Sequence, residues 1–288
     1  MKKFNTWIVL AFAILLAACS SLRLAYNNGD TLLYWWLDAY VDFDSEQKAD
    51  VKQDIDGFFR WHRKTQLQDY VQLLQKAQRQ LHGNPTAADL MADYVDIRDR
   101  TEALLLRAAP DIAELALSLK PEQLATMEKK FAKNNAKFRK ENMKGDALEQ
   151  NKFRYKKSME QFELWFGSFS DEQEAIIRKA SDARPLNNEL WLDERLRRQL
   201  KIMTLARKIM TEQPSKQLAT QWVEELIRSG FDRFGFSERK AFFDSYTQST
   251  VELVHTVVRI STPEQKAHAQ KRMEGWIKDL NTLAAQAH

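Results

Sequence analysis

The sequence predicts an all-α fold, a multi-helix bundle of about ten helices with short connections. Three observations carry this reading. Apolar residues recur at helical spacing almost everywhere after Asp30. The chain of 288 residues holds eight glycines and six prolines, about 5% together against a usual share near 12%. Five of the prolines, Pro85, Pro110, Pro121, Pro214 and Pro263, fall at or near expected helix starts, where a missing N–H costs little.

The first helix covers TLLYWWLDAYV, residues 31–41. Leu32, Leu33, Tyr34, Trp35, Trp36 and Leu37 are contiguous, so it is apolar on every side and is expected to be buried as a plug in the bundle. The other reading, a membrane-interface helix, suits Trp and Tyr. The acidic rim of Asp30, Asp38, Asp42 and Asp44 has the wrong sign for it. A second helix is expected over 45–81. Val51, Ile55, Phe58 and His62 form one stripe, and Leu67, Val71, Leu74 and Leu81 follow after a slight phase shift. His62 then faces inward as a hydrogen-bonded core residue. Gly57, which costs about 1 kcal/mol against alanine in mid-helix, marks a close helix approach or a bend. Further helices are expected at 86–108, 111–119, 121–143, 147–167, 171–182, 187–211, 215–229, 238–260 and 263–286. The β-branched stretch VHTVVRI, 254–260, stays helical because a lone strand would leave its backbone unpaired.

Four helix starts share a pattern: FDSEQ at 43–47, LKPEQ at 119–123, FSDEQ at 169–173 and STPEQ at 261–265, with a looser FSERK at 236–240. Asp44, Ser170 and Thr262 are placed to accept from free N–H groups of the first turn, and Gln47, Gln173 and Gln265 to reach back from N3. The glutamates suit the helix dipole. The pattern resembles the Leu-Thr-x-x-Gln signature of small helical periplasmic chaperones of the Spy and CpxP type. That resemblance implies a cradle for unfolded clients, whereas capping alone also accounts for these residues.

The chain opens with Lys2 and Lys3, an apolar run from Trp7 to Ala18, and its one cysteine, Cys19. The run is too short to span a bilayer core, which takes about 20 apolar residues. It has the layout of a signal peptide, giving a cleaved leader at 1–18, a tether at 19–29 and a single helical domain at 30–288. Leu16, Ala17, Ala18 and Cys19 resemble the lipobox of bacterial lipoproteins. The resemblance implies a diacylglyceryl group on the thiol, cleavage before it, and a fatty acid such as palmitate on the new amine. Ser20, in place of aspartate, implies residence in the outer membrane of a Gram-negative cell, facing the periplasm. Several acyl chains would give stable anchoring. Ordinary secretory cleavage with a free thiol is the other reading, and the place of Cys19 at the end of the apolar run argues against it. Loss of Lys2 and Lys3 lowers the formal charge of +4 by two. With no second cysteine, the fold has no intrachain disulfide.

Residues 19–44, CSSLRLAYNNGDTLLYWWLDAYVDFD, resemble the start of a proteobacterial lipoprotein family known only as a domain of unknown function. The shared features are Cys-Ser, Arg-Leu, Tyr-Asn-Asn, Tyr-Trp-Trp-Leu and the aspartate series. The resemblance supports the lipoprotein reading and implies no activity.

Motifs for catalysis are missing. Glu252 and His255 have the Glu-x-x-His spacing of di-iron bundles, but those need a second copy and two further carboxylates. His62, His82, His268 and His288 have no acid three residues upstream. There is no Gly-x-Ser-x-Gly, phosphate loop or His-Glu-x-x-His. The chain therefore reads as a non-enzyme without metal or cofactor. A hydrolase of cell-wall polymer acting through a carboxylate pair is the distant alternative, and spacing among forty acids selects no pair.

The strongest charge asymmetry lies between Lys129 and Lys157. Lys129, Lys130, Lys133, Lys137, Arg139, Lys140, Lys144, Lys152, Arg154, Lys156 and Lys157 face only Glu141, Asp146 and Glu149. With Gly145 at the turn, two helices form a basic hairpin. Its apolar stripes are Leu124, Met127, Phe131 and Phe138, then Leu148, Tyr155, Met159, Phe162 and Phe166. One reading is a solvated face. The other is a surface for anionic lipid, lipopolysaccharide phosphate or an acidic envelope protein, with nucleic acid excluded by the compartment. The expected function is a lipid-anchored, non-enzymatic binding or structural protein of the envelope, with the chaperone-like cradle as its alternative.

Overall fold

The computed structural model describes residues 22–231 and 237–286; the leader 1–18, Cys19 and Ser20 lie outside them. Among the described residues the chain is an all-α bundle without strands, as the periodicity predicts. A helical stretch at 22–27 leads into α1 (Gly29–Val41), α2 (Ser45–Thr65), α3 (Leu67–Gly83), α4 (Ala87–Ser118) and α5 (Pro121–Asn142). Then come α6 (Ala147–Phe166), α7 (Asp171–Asp182), α8 (Asn188–Glu212), α9 (Lys216–Phe231), α10 (Ser237–Ile260) and α11 (Pro263–Ala285). No helix among the described residues is long and apolar enough to cross a membrane.

Three of the shared helix starts are capping boxes, while the looser FSERK start at 236–240 lies partly outside the described residues. Asp44 accepts from the N–H groups of Glu46 and Gln47 at 2.9 Å, Ser170 from Gln173 at 3.2 Å, and Thr262 from Gln265 at 3.3 Å. Each glutamine in turn accepts from the N–H of its cap residue. At α5 the cap residue is Lys120, which offers no side-chain oxygen. Pro121 removes one free donor there, and Gln123 accepts from the Lys120 N–H at 2.9 Å.

Four features differ from expectation, each for a packing reason. The helix expected over 45–81 is divided at Gln66. Val51 and Ile55 enter a core shared with α1 and α5, whereas Leu67 and Val71 pack on Leu280 and Leu283 of α11. The phase shift in the apolar stripe is the trace of that change of partner. Pro110, expected to separate two helices, lies inside α4, which continues for 32 residues. Proline costs roughly 3 kcal/mol in a helix interior. Ala109 and Ala113, fully buried on Ile209, Ala219 and Val223, hold the helix together on both sides of it.

The remaining two concern α1 and its glycine neighbours. α1 is not buried as a whole. Tyr34 and Val41 are buried with Leu33, Leu37 and Tyr40 packed beside them, yet Trp35 is 62% and Trp36 57% exposed. α2 and α5 cover one side only. Nor is Gly57 a point of close approach, since an added Cβ would meet nothing nearer than Arg60 at 3.8 Å. The close approach is at Gly29, where a Cβ would lie 2.7 Å from the Phe59 ring.

The interior is a series of apolar clusters. α4 packs most closely on α9, α3 on α11 and α7 on α10. The N-terminal stretch is fixed to the last helix: Leu22 and Tyr26 join the Leu67, Val71, Leu280 and Leu283 cluster, and Arg23 pairs with the buried Asp279 at 2.8 Å.

Candidate functional site

α5 displays a strip of cations. Lys129, Lys133, Lys137 and Lys140 recur at intervals of three or four residues and so share one face, and Lys144 follows in the connection just past the helix end. All five are exposed, as is Arg139. Lys137 approaches Glu141 at 3.8 Å, while Lys129, Lys133, Lys140 and Lys144 make no ion pair among the described residues. The opposite face explains the orientation. Leu124 is buried, and Met127 and Phe131 pack against the core around Tyr34 and Val41. Lys130 stands at the inner edge, its Nζ 5.2 Å from the centre of the Tyr40 ring.

On α6, Lys152 and Lys156 are exposed, and Lys157 pairs with Glu160 at 2.8 Å. The two helices meet at the Met143–Asp146 connection but pack mainly on other partners, α5 on α8 and α1, α6 on α11 and α7. The expected hairpin is therefore a corner between two packing units. Tyr155 and Met159 take their core places, whereas Leu148 is 61% exposed.

Arg154 is set apart from the other cations. Its guanidinium donates to the carbonyls of Pro185, Ser181 and Arg184 and to Asn151 Oδ1, at 2.7–3.2 Å. Burial, with the nearby Arg184 charge, pushes its pKa down. It holds the end of α7 and the following turn against α6. Arg184, buried nearby, donates to Ser158 and Ser181.

A second surface escaped the sequence reading. α1 and α4 flank α2 without closing over it, leaving an open trough of about 440 Å³. Val51, Asp54, Ile55 and Phe58 form its floor, Leu33, Trp36 and Leu37 one wall, and Leu105, Ile112 and Leu115 are prominent in the other. Burial raises the pKa of Asp54, and the neighbouring charges of Asp111 and Glu114 raise it further. A raised carboxyl beside a second carboxylate is what a hydrolase of glycans would require. Apart from Asp54 and Asp111, however, the lining is almost wholly apolar, with Thr101 contributing a hydroxyl and Trp36 an indole N–H. The signal was present in ALLLRAAPDIAEL, which is apolar towards two sides of one helix. Dividing the chain at Pro110 concealed it.

His62 holds a structural place. The His62 Nδ1 lies 2.8 Å from the Tyr26 hydroxyl and Nε2 3.3 Å from that of Tyr70, with Phe58 stacked on the ring. Glu252 and His255 approach at 3.8 Å. Among the described residues no group of three His, Cys, Asp or Glu is placed to hold a metal ion. The glutamines of the shared helix starts point inward, to backbone carbonyls and to one another.

No curated protein and no solved structure matches the chain. One family model does, described as a family of unknown function (DUF6279), over residues 39–225. The matched stretch contains the lysine strip of α5, the whole of α2 and α4, and both glutamine-bearing corners of the first half. On that match, which covers well over half of its length, the chain belongs to the DUF6279 family of unknown function.

Proposed function

We propose that this protein is a lipid-anchored, non-enzymatic binding protein of a bacterial envelope, tethered through Cys19 to the periplasmic face of the outer membrane. Its contact with anionic surfaces is made by the lysines of α5. The observation that carries the contact is the strip Lys129, Lys133, Lys137 and Lys140, exposed on one helix face, continued by Lys144 in the connection beyond it, and almost free of carboxylate partners. Lysine suits diffuse attraction to phosphate-rich surfaces more than bidentate recognition. Phospholipid headgroups, lipopolysaccharide phosphates and acidic envelope proteins offer that chemistry. The anchor rests on the sequence around LAAC and on the proteobacterial lipoprotein resemblance of residues 19–44.

Two measurements test the reading. Metabolic labelling with palmitate should mark the full chain and fail with Cys19→Ala; an unlabelled wild type overturns the anchor. Binding to vesicles containing phosphatidylglycerol should weaken steeply with salt, because exposed charges are screened beyond about 8 Å at physiological ionic strength. Replacing the five lysines with glutamine should abolish it, and undiminished binding overturns the contact surface.

A further inference from the structure

The trough of α1, α2 and α4 has the form of a helix bundle that lacks one member. Two walls and a floor leave a seat beside α2, and helices pack at interaxial distances of about 8–10 Å. Its length along α4, from Thr101 to Leu115, corresponds to about 21 Å at 1.5 Å per residue, roughly four helical turns. Trp36, Leu105 and Ile112 are 57%, 42% and 41% exposed there, on surfaces whose neighbours are apolar. Contiguous apolar surface of this kind marks an interaction site.

Charge selects the occupant. Asp54 lies in the floor and Asp111 in one wall, with Glu114 close by. Lys216 is the cation near this group, and its ammonium is engaged by Glu114. An acyl chain or a wholly apolar helix would bury the two aspartates without a counter-charge, which is strongly unfavourable. A helix with one lysine or arginine in its apolar face would place a counter-charge between them. The chain's own basic helices do not have that form, because α5 and α6 turn their apolar stripes inward.

We propose that the trough receives an amphipathic helix of a partner protein, one whose apolar face carries a lysine or arginine opposite Asp54 and Asp111. The arrangement is helix-in-groove recognition, with apolar anchors at three- and four-residue intervals supplying affinity. The trough shares no residue with the lysine strip, so this interaction stands independently of the contact with anionic surfaces.

The test uses the folded full chain and a fluorescently labelled amphipathic peptide of about 15 residues, with lysine at the centre of its apolar face. Fluorescence anisotropy should show it binding at least about ten-fold tighter than the same peptide with glutamate there, as expected for charge complementarity against like-charge repulsion. Asp54→Asn combined with Asp111→Asn, which changes shape little, should erase that difference. Ile112→Asp should abolish binding of both peptides; Leu105→Asp, on an equally exposed wall position, serves if the first variant loses its helical circular dichroism. Equal affinity for the two peptides, or binding indifferent to the wall variants, overturns the proposal. Displacement of the peptide by neutral phosphatidylcholine vesicles would assign the trough to lipid, and displacement by self-association at high protein concentration would assign it to a second copy. Either outcome overturns it too.

Discussion

Gln47 and Gln123 exchange amide hydrogen bonds inside the bundle. Gln123 Nε2 donates to Gln47 Oε1 at 2.6 Å and Gln47 Nε2 to Gln123 Oε1 at 3.1 Å, with both residues 5% exposed. Each amide also donates to the carbonyl five residues before its partner, Ser118 at 2.9 Å and Asp42 at 3.1 Å. Gln173 and Gln265 repeat the scheme, exchanging bonds of 2.9 and 3.1 Å and donating to Ile260 and Ser168, again five residues before the partner. The corner between α1 and α2 is thus locked to that between α4 and α5, and the corner between α6 and α7 to that between α10 and α11. The two halves of the chain carry the same joint.

Gln47→Ala should therefore destabilise the protein by about 1–3 kcal/mol, since it leaves part of the buried Gln123 amide unsatisfied and removes the donor to the Ser118 carbonyl. Gln123→Ala should cost a similar amount. The double variant should cost less than the sum, because both changes remove the same pair of bonds. Urea unfolding of the three variants measures the coupling, and simple additivity would show that the pair does not act as a unit.

Arg154→Ala should separate structure from surface binding. Its guanidinium satisfies three carbonyls and Asn151, so truncation should lower stability by about 2 kcal/mol. Vesicle binding of the folded variant should change no more than after neutralising one lysine remote from the strip. Lys133→Gln should behave in the opposite way, leaving urea stability within about 0.5 kcal/mol and weakening binding to anionic vesicles.

His62 predicts an acid-sensitive term near neutrality. Burial lowers its pKa from the ordinary 6.5, so the fold favours the neutral ring and the unfolded chain takes up the proton first. The stability it contributes is complete above about pH 6.5, declines as pH falls below that value, and levels off beneath the folded pKa. Urea midpoints collected between about pH 7.5 and pH 5 should show this slope. His62→Gln should flatten it, and an unchanged slope would place its origin elsewhere.

The helical fold and most helix starts were legible because both depend on near neighbours in sequence. Asp44, Ser170 and Thr262 cap as the four-residue patterns imply, and Leu124 and Tyr155 lie inward as their stripes imply. What escaped depends on partners distant in the chain. Nothing near Gln66 announces that α2 and α3 pack on different helices, apart from a small phase shift. Pro110 reads as a boundary until the burial of Ala109 and Ala113 against α9 is known. Trp36 belongs to a contiguous apolar run, and only the placing of α2 and α5 on one side of it leaves it facing the trough. Arg154 counted among the surface cations because the carbonyls it binds, at 181–185, come from another helix end. The lysine strip was visible as composition, whereas its division between two packing units was not.

Glu194 sets a second acid-sensitive term, separable from that of His62. Its carboxylate is 3% exposed and accepts from Arg197 at 2.8 Å and Arg198 at 2.6 Å, with Arg239 at 3.9 Å. Burial alone would raise its pKa; the hydrogen bonds and charges of Arg197 and Arg198 outweigh it and hold the carboxyl below its ordinary range. The stability from this group is present above the unfolded value near 4.5 and is lost as pH falls through the folded pKa. Glu194→Ala should cost about 3 kcal/mol at neutral pH, the lower end for a broken buried pair, because water reaches Arg198. Glu194→Gln, which keeps one acceptor oxygen, should cost less. Acid unfolding of the wild type then has two stages: a decline below about pH 6.5 that His62→Gln removes, and a steeper one below about pH 4.5 that Glu194→Ala reduces. If either variant altered both stages equally, the two groups would titrate as one system and their separate placement in the fold would not explain the pH profile.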